Sequence, residues 1–519
     1  MALHSPAQST GHLILVLPFE NRSGQANIDW MGESMPEVMN RRLESAGFLP
    51  IGREDRLYAL DHLGLPPNFK PSRASTIRLA QNLDVDTVII GSYTSDGTQL
   101  TLTARVLDIS ALKLGAPIDE QVDPSHLLDG INSLSWKLVR QLDPAYPVAE
   151  QTFIAADAKL SLAVFENYIR GLVEDSPAER AKHLKEAVRL DPTYTPAWFA
   201  LGRLYFHQQE FELAATALAK VPKSDPRALG ANFDLGLASF YTGNYPQAEE
   251  AFAFVATQLP LSEVINNEAV AASRRNQDAA ALFQQAVNAD PKDGDYHFNL
   301  ALALRRRNDI PGAMKEVGEC LKLRPEDSEA QALLVSLQTA AATPAVKANT
   351  FLTSGAAASN NAGPLERIKR NYNEESFRQA AYEIDQMQAM KLQSLPPSAR
   401  AAALTTAGDR SLNSGLLLEA ERQFQNALQD DSANALAHAG LAAIRERSGD
   451  ADGARSQAMQ SLQLKPTVDA HLVLARLDLQ SNQLPSAAGE VTQALKLDPK
   501  SAAALGLRQA LQSRGQQVQ

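Results

Sequence analysis

Pro192, Pro226 and Pro260 stand 34 residues apart in this chain. A fixed period of that length constrains the fold more than any local propensity does. Each period must be one supersecondary unit, and it can bury its apolar face only against its neighbours. The unit is clearest at residues 229–262. Leu235-Gly236, then Gly243-Asn244-Tyr245, then Ala248, Phe252 and Pro260 read as two short amphipathic helices with a Gly-Asn turn between them and a proline closing the second. Leu201-Gly202 and Tyr205 precede Leu235-Gly236 and Ser239 by the same 34 residues.

Trp198, Leu201, Gly202, Tyr205, Ala214 and Pro226 carry the best single copy of this pattern, which resembles the tetratricopeptide repeat. Residues 161–194 read as a degenerate first copy and 195–228 and 229–262 as good ones. A shortened copy ends at Pro291, another spans 294–327, and 328–338 form a cap helix, giving a first array over 161–338. Residues 339–364, rich in Ala, Ser, Thr, Asn and Gly, read as a flexible linker. A second array is expected over 365–513, with a helix pair lacking the motif residues at 365–395, repeats at 401–434, 435–467 and 468–501, and a final cap.

Residues 12–143 follow a different plan. HLILVLPF reads as a buried strand and Met35, Val38, Met39 and Leu43 as a helix face ending near Gly47. FLPIGRED reads as a second strand and SRASTIRLAQNL as a helix capped by Ser72. TVIIGSYT and LTLTARVLDI form a hairpin around Asp96-Gly97, followed by a weaker strand near 114–122 and a helix from Pro124 to Leu142. The fold class is therefore an α/β domain with a mixed sheet, followed by all-α solenoid in two arrays. LPFENRSG, Trp30-Met31-Gly32-Glu33 and LAQNLDVDTVIIGSYTSDGTQLTLTARVLD resemble the TolB-amino-terminal-like domain, often found in bacterial multidomain proteins ahead of tetratricopeptide repeats. In that family the domain commonly follows a kinase, a cyclase or a winged-helix module. Residues 1–11 leave no room for one, so the resemblance implies no enzymatic effector here.

Composition narrows the function classes. The net charge of −11 gives nucleic-acid binding no support. No apolar run approaches the length of a membrane helix, and Cys320 is the only cysteine. Residues 1–11 hold no Lys or Arg and no apolar core, which implies a cytoplasmic protein, or a periplasmic one if the true start lies upstream. No phosphate-binding glycine loop, zinc-protease motif, nucleophile elbow or Cys-x-x-Cys occurs, so neither catalytic residues nor a cofactor are expected. His297, His438 and His471 each fall where Trp198 sits in its repeat, which favours packing over metal binding. Glu33 and Glu37 lie one turn apart near a helix start, where carboxylates complement the dipole.

The first helices of successive repeats line the inner groove of such a solenoid. The candidates for binding a protein there are Phe199, Arg203, Phe206, Phe233, Leu237, Phe240, Tyr241, Phe298 and Arg305, with Leu302 and Arg306 beside them. Aromatics with arginines suit an extended or helical peptide with acidic and apolar residues. Each ring has a second role open, in the core between repeats, because aromatic stripes at helical spacing are usually core. The lysine–asparagine carboxylate clamp of chaperone-tail-binding repeats is missing, since Phe199, Arg203 and Asp234 stand in its place. Together these features read as a non-enzymatic scaffold or adaptor for protein or peptide partners. The alternative is a sensor whose α/β domain binds a small ligand near Asn21–Gly24 and Ser92–Gly97.

Overall fold

Leu13–Val16 (β1) is apolar at every position, the pattern of a strand covered on both faces. In the computed structural model of the chain it lies inside a seven-stranded mixed sheet. The structure describes residues 13–66, 72–157, 159–342, 364–371, 387 and 389–518. Most of the expected linker, at 343–363, and most of the expected helix pair, at 372–386, lie outside the described residues.

The sheet order is Leu49–Pro50 (β3), β1, Thr87–Ser95 (β4), Leu100–Asp108 (β5) and Lys113–Leu114 (β6). Glu20–Asn21 (β2) pairs with β4, and Ile118–Val122 (β7) pairs with β5. β1 runs parallel to β3 and β4, whereas β4 and β5 form an antiparallel hairpin in register from Thr87↔Asp108 to Ser95↔Leu100. Gly97 turns that hairpin with φ 94°, and the Asp96 carboxylate accepts from the Thr98 and Gln99 amides.

Helices cover both faces. Arg53–His62 (α2) and Arg73–Asn82 (α3) bury Leu60 and Leu79 against Leu15, Val88 and Leu107. Met31–Ala46 (α1) buries Met35, Val38, Met39 and Leu43, and it packs beside Leu127–Leu142 (α4), which lies over Leu102 and Val122. The second expected strand, FLPIGRED, is only two residues long. From Arg53 the chain is helical, because Gly52 takes an extended cap conformation and Glu54 and Asp55 fill a first turn that favours acids. Pro36 inside α1 has no N–H for the Gly32 carbonyl, and that carbonyl accepts from the Phe19 amide at 3.0 Å instead. A side chain at Gly32 would stand 2.6 Å from the Phe19 carbonyl oxygen, so the contact requires glycine.

The described residues fall into two units, one within Met1–Asp175 and Met390–Gln519, the other within Ser176–Ala389. In the first, Glu150–Ala155 (α5) and α1 pack on the helices Leu417–Asp430 and Ala435–Arg447. Glu421, with no exposed side-chain surface, accepts from the Thr152 hydroxyl, from the Ala149 amide at 3.2 Å and from Arg445 at 2.6 Å. Nearby, Arg42 bonds Asp157 at 2.5 Å and Asn132 at 2.7 Å. The same unit carries Leu162–Val173 (α6), whose Tyr168 hydroxyl donates to Glu37 at 2.8 Å. It also carries the helices Pro397–Asn413, Ala451–Leu464, Val468–Gln480, Leu484–Leu497 and Ala502–Ser513.

The second unit is a run of helix pairs. Pro177–Leu190 (α7) leads into Thr195–His207 (α8) with Phe211–Leu218 (α9), then Ala228–Tyr241 (α10) with Tyr245–Gln258 (α11). Ser262–Arg274 (α12) with Ala280–Ala289 (α13) and Gly294–Arg306 (α14) with Ile310–Leu323 (α15) follow, and Ser328–Ala342 (α16) closes the run. Within a pair the backbones approach at glycine. A Cβ on Gly236 would fall 2.6 Å from the fully buried Phe252 ring, and one on Gly202 would fall 2.6 Å from Leu218.

Two outcomes follow from this packing. Gly236→Ala is expected to overpack the α10–α11 crossing and lower stability by about 1–3 kcal/mol in a circular-dichroism melt. Burial opposes charge on Asp157, but Arg42 and Arg41 outweigh it and hold that carboxyl down at about 2. A depressed carboxyl stabilises the fold above its ordinary value near ~3.9 and loses that contribution as pH falls toward the folded value. Wild-type stability is therefore expected to drop by about 2 kcal/mol between pH ~4 and ~2 through this group. Asp157→Asn, measured by urea melts across that range, is expected to flatten that drop.

Candidate functional site

The inner helices α12 and α14 of the second unit carry Asn267 and Asn299 at the same place, five residues in from Ser262 and Gly294. Asparagine is a poor interior helix residue, since its amide competes with the backbone for partners. Asn266, Asn267 and Asn299 are nevertheless fully buried, and a segment of the same chain, Leu365 to Lys369, supplies what their amides need.

Residues 365–369 lie extended in the groove and are not helical, a departure from the helix pair expected to start at 365. Asn299 accepts from the Arg367 amide at 2.7 Å and donates to the Arg367 carbonyl at 2.8 Å. Asn267 makes the same exchange with Lys369, with both bonds at 2.8 Å. Asn266 adds a donor to the Arg367 carbonyl at 3.0 Å and accepts from Asn299 at 2.8 Å. Alternate residues of an extended chain expose backbone groups along one edge, so two side-chain amides read positions 367 and 369 as a neighbouring strand would.

Charge fixes the segment's ends. Glu366 is buried, and it accepts from Ser273 at 2.5 Å and pairs with Arg306, with Arg274 at 3.6 Å. Burial pushes the Glu366 carboxyl up, but Ser273 and Arg306 outweigh that and leave it below its ordinary range. Arg367 bonds Asp327 through both terminal nitrogens at 2.6 and 2.8 Å, reaches Asp295 at 3.1 Å and Glu329 at 2.9 Å, and lies 3.8 Å above the Phe298 ring. Those bonds hold the Asp327 carboxyl down at about 2. Lys369 bonds Asp293 at 2.5 Å and Asp295 at 2.7 Å, with Tyr296 beneath it at 5.0 Å. Between the two cations Ile368 packs on the cores around Val264 and Val270, which Phe240 also flanks.

The structure separates the nine groove candidates. Phe298 and Phe240 border the seated segment. Phe233 and Leu237 are closed in the core with Phe252, and Ile368 packs against that cluster. Phe206 and Tyr241 are half-buried and stack with Phe211 at 5.4 and 4.6 Å respectively. Arg203 lies over Phe199 at 5.6 Å and pairs with Asp234 at 3.3 Å on the next repeat. Arg305 is half-buried near Glu366, while its neighbour Arg306 makes the ion pair and Arg307 bonds Asp278. Sequence reasoning missed Asn266, Asn267 and Asn299 and the acids Asp293, Asp295 and Asp327. The signal was present as asparagines beside Ile265, Phe298 and Leu300, on the apolar stretches of two inner helices.

The three histidines share one device. His297 bonds Glu316 at 2.7 Å and the Pro291 carbonyl at 3.1 Å, and His438 bonds Gln457 at 2.7 Å and the Ser432 carbonyl at 3.3 Å. His471 bonds Glu490 at 2.6 Å. The Trp198 indole, at the equivalent place, donates to the Pro192 carbonyl at 2.9 Å. Each ring ties the preceding loop or the paired helix to its own helix.

Family models of the tetratricopeptide repeat match residues 176–233, 268–335 and 405–468. These helix pairs are tetratricopeptide repeats. The anaphase-promoting complex subunit 3 of Schizosaccharomyces pombe is 24% identical over 160 residues, which is 30% of this chain and 24% of that protein. The chain thus spans about a quarter of the curated relative it matches. Among solved structures, YrrB, described as a tetratricopeptide-repeat protein with an unusual peptide-binding site, is 11% identical and covers 39% of this chain and 97% of its own, with a TM-score of 0.30. The C-terminal domain of Escherichia coli LpoB is 20% identical and covers 23% of this chain and 89% of its own, with a TM-score of 0.20.

Asn299→Ala removes its own two bonds to the Arg367 backbone and leaves the Asn266 bond to the Arg367 carbonyl. Hydrogen exchange at the Arg367 amide, read by mass spectrometry or NMR, is expected to speed up by about tenfold or more. Unchanged protection would mean that the Asn266 and Asn267 bonds and the ion pairs seat the segment without Asn299.

Proposed function

We propose that this protein is a non-enzymatic scaffold, or adaptor, whose first tetratricopeptide array holds an extended stretch of a protein partner in its inner groove. One observation carries the reading: α12 and α14 already grip an extended segment by its backbone, through Asn267 and Asn299. Tetratricopeptide proteins act in general as protein-binding scaffolds. The depressed carboxyls favour the same view, because Asp157, Asp327 and Glu366 each face an arginine in a structural pair. No helix among the described residues is long and apolar enough to cross a membrane.

The sensor reading has one feature in its favour, a cavity of about 950 Å³ on the α2–α3 side of the sheet, reaching Asn21, Ser92 and Tyr93. Its wall cations are already engaged. Arg56 faces Glu33 and the Val16 carbonyl, Arg105 donates to Gly115, and Arg73 donates to Leu112. We therefore assign binding to the groove, and we keep residues 12–143 as a TolB-amino-terminal-like domain on the blocks of sequence quoted above.

A photo-crosslinking phenylalanine in place of Phe240, introduced into the whole chain carrying Arg367→Ala, is expected to give intermolecular protein adducts in cells. The same probe at Leu213, exposed on α9, is the control. Equal adducts from both positions, or none from the groove, would overturn the scaffold reading.

A further inference from the structure

The segment seated in the groove is held in an unusual way for a permanent part of a core. Of residues 366–369 only Ile368 is apolar, and the rest of the grip consists of amide exchanges and ion pairs. Another chain can make such contacts equally well. Glu329 at the rim is more than half exposed, so the arginine's acidic socket opens to solvent. The contacts also specify a sequence, because each position of the segment meets a different chemistry. An acid meets Ser273, Arg274 and Arg306. A planar cation meets Asp327 from the front and Phe298 from below. An apolar side chain meets the inter-repeat core, and a final ammonium lies between Asp293 and Asp295.

We propose that the groove selects partners carrying an extended acidic–Arg–apolar–Lys stretch, and that the chain's own residues 366–369 are a resident competitor which such a partner must displace. This rests on the groove reading above and names the partner it takes. The bidentate fork on Asp327 and the stacking over Phe298 favour arginine over lysine at the second position. Asn267 and Asn299 hydrogen-bond only the backbone of the segment, so they set the register and leave selection to its charged side chains. A tethered segment competes at an effective concentration on the order of mM, so an external peptide meets an occupied site in the wild-type chain.

The test is a fluorescence-anisotropy titration of the whole chain with a labelled peptide of residues 363–371. A chain carrying Glu366→Ala, Arg367→Ala and Lys369→Ala is expected to bind that peptide about tenfold or more tightly than wild type, because its resident segment is weakened. Adding Asn267→Ala and Asn299→Ala is expected to abolish the gain. A peptide with glutamate in place of Arg367, or one of scrambled order and equal charge, is expected to bind at least about tenfold more weakly. Circular-dichroism melting checks that the triple variant folds. If it does not, Lys369→Ala alone, which keeps the Arg367 and asparagine contacts, serves in the same titration with a smaller gain expected. A folded variant that ignores the peptide, or one that binds the scrambled peptide equally, overturns the proposal. Adducts from the Phe240 probe would in that case leave the scaffold reading standing, with a partner of different chemistry.

Discussion

The repeat region depends on how closely two helices of a pair can approach. At Gly236 the backbone of α10 lies against the face of Phe252, and no Cβ fits between them. A pair packed that tightly still leaves one face of each helix uncovered, and the next pair must cover it. Gly408 and Gly440 lie against one ring, Phe424, from two successive repeats of the second array, so the rule carries from within a pair to between pairs. The inner helices then line up with equivalent residues side by side. That alignment brings Asn267 and Asn299 to the spacing of alternate residues in an extended chain.

Much of this was legible in the sequence. The 34-residue period, the turn at Gly243 and the glycines at 202 and 236 follow from local sterics, which a single chain displays openly. The mixed sheet was legible for the same reason, through the apolar run of β1 and the Asp-Gly hairpin. Gly52 was harder. Proline, isoleucine and glycine read locally as strand and turn, yet the acidic turn that follows them starts a helix.

The groove's chemistry was only partly legible. Of the aromatic positions, Phe240 and Phe298 border the seated segment, whereas Phe233, like Leu237, points into the core. Which side of an inner helix meets solvent and which meets the next repeat differs by a fraction of a turn, finer than periodicity resolves. The acids were invisible for another reason. Asp293, Asp295 and Asp327 come from two helix starts, some thirty residues apart, and nothing in the local sequence announces that they converge. The same holds for Glu421 and Thr152, whose contact joins parts of the chain separated by 269 residues. Long-range polar contacts of this kind leave no periodic trace.

The paired asparagines have a consequence for how this groove tolerates change. An amide that exchanges two bonds with a peptide group recognises the main chain, which every residue but proline presents alike. A substitution in the bound strand at 367 or 369 alters the ionic fit and leaves those four bonds in place. Proline at either place would remove the donated N–H and break the exchange outright. The strand's grammar therefore has two layers. One forbids proline at alternate positions, and the other grades charge. Specificity can drift in the second layer through Asp293, Asp295, Asp327 and Arg306 without any loss of purchase on the chain itself.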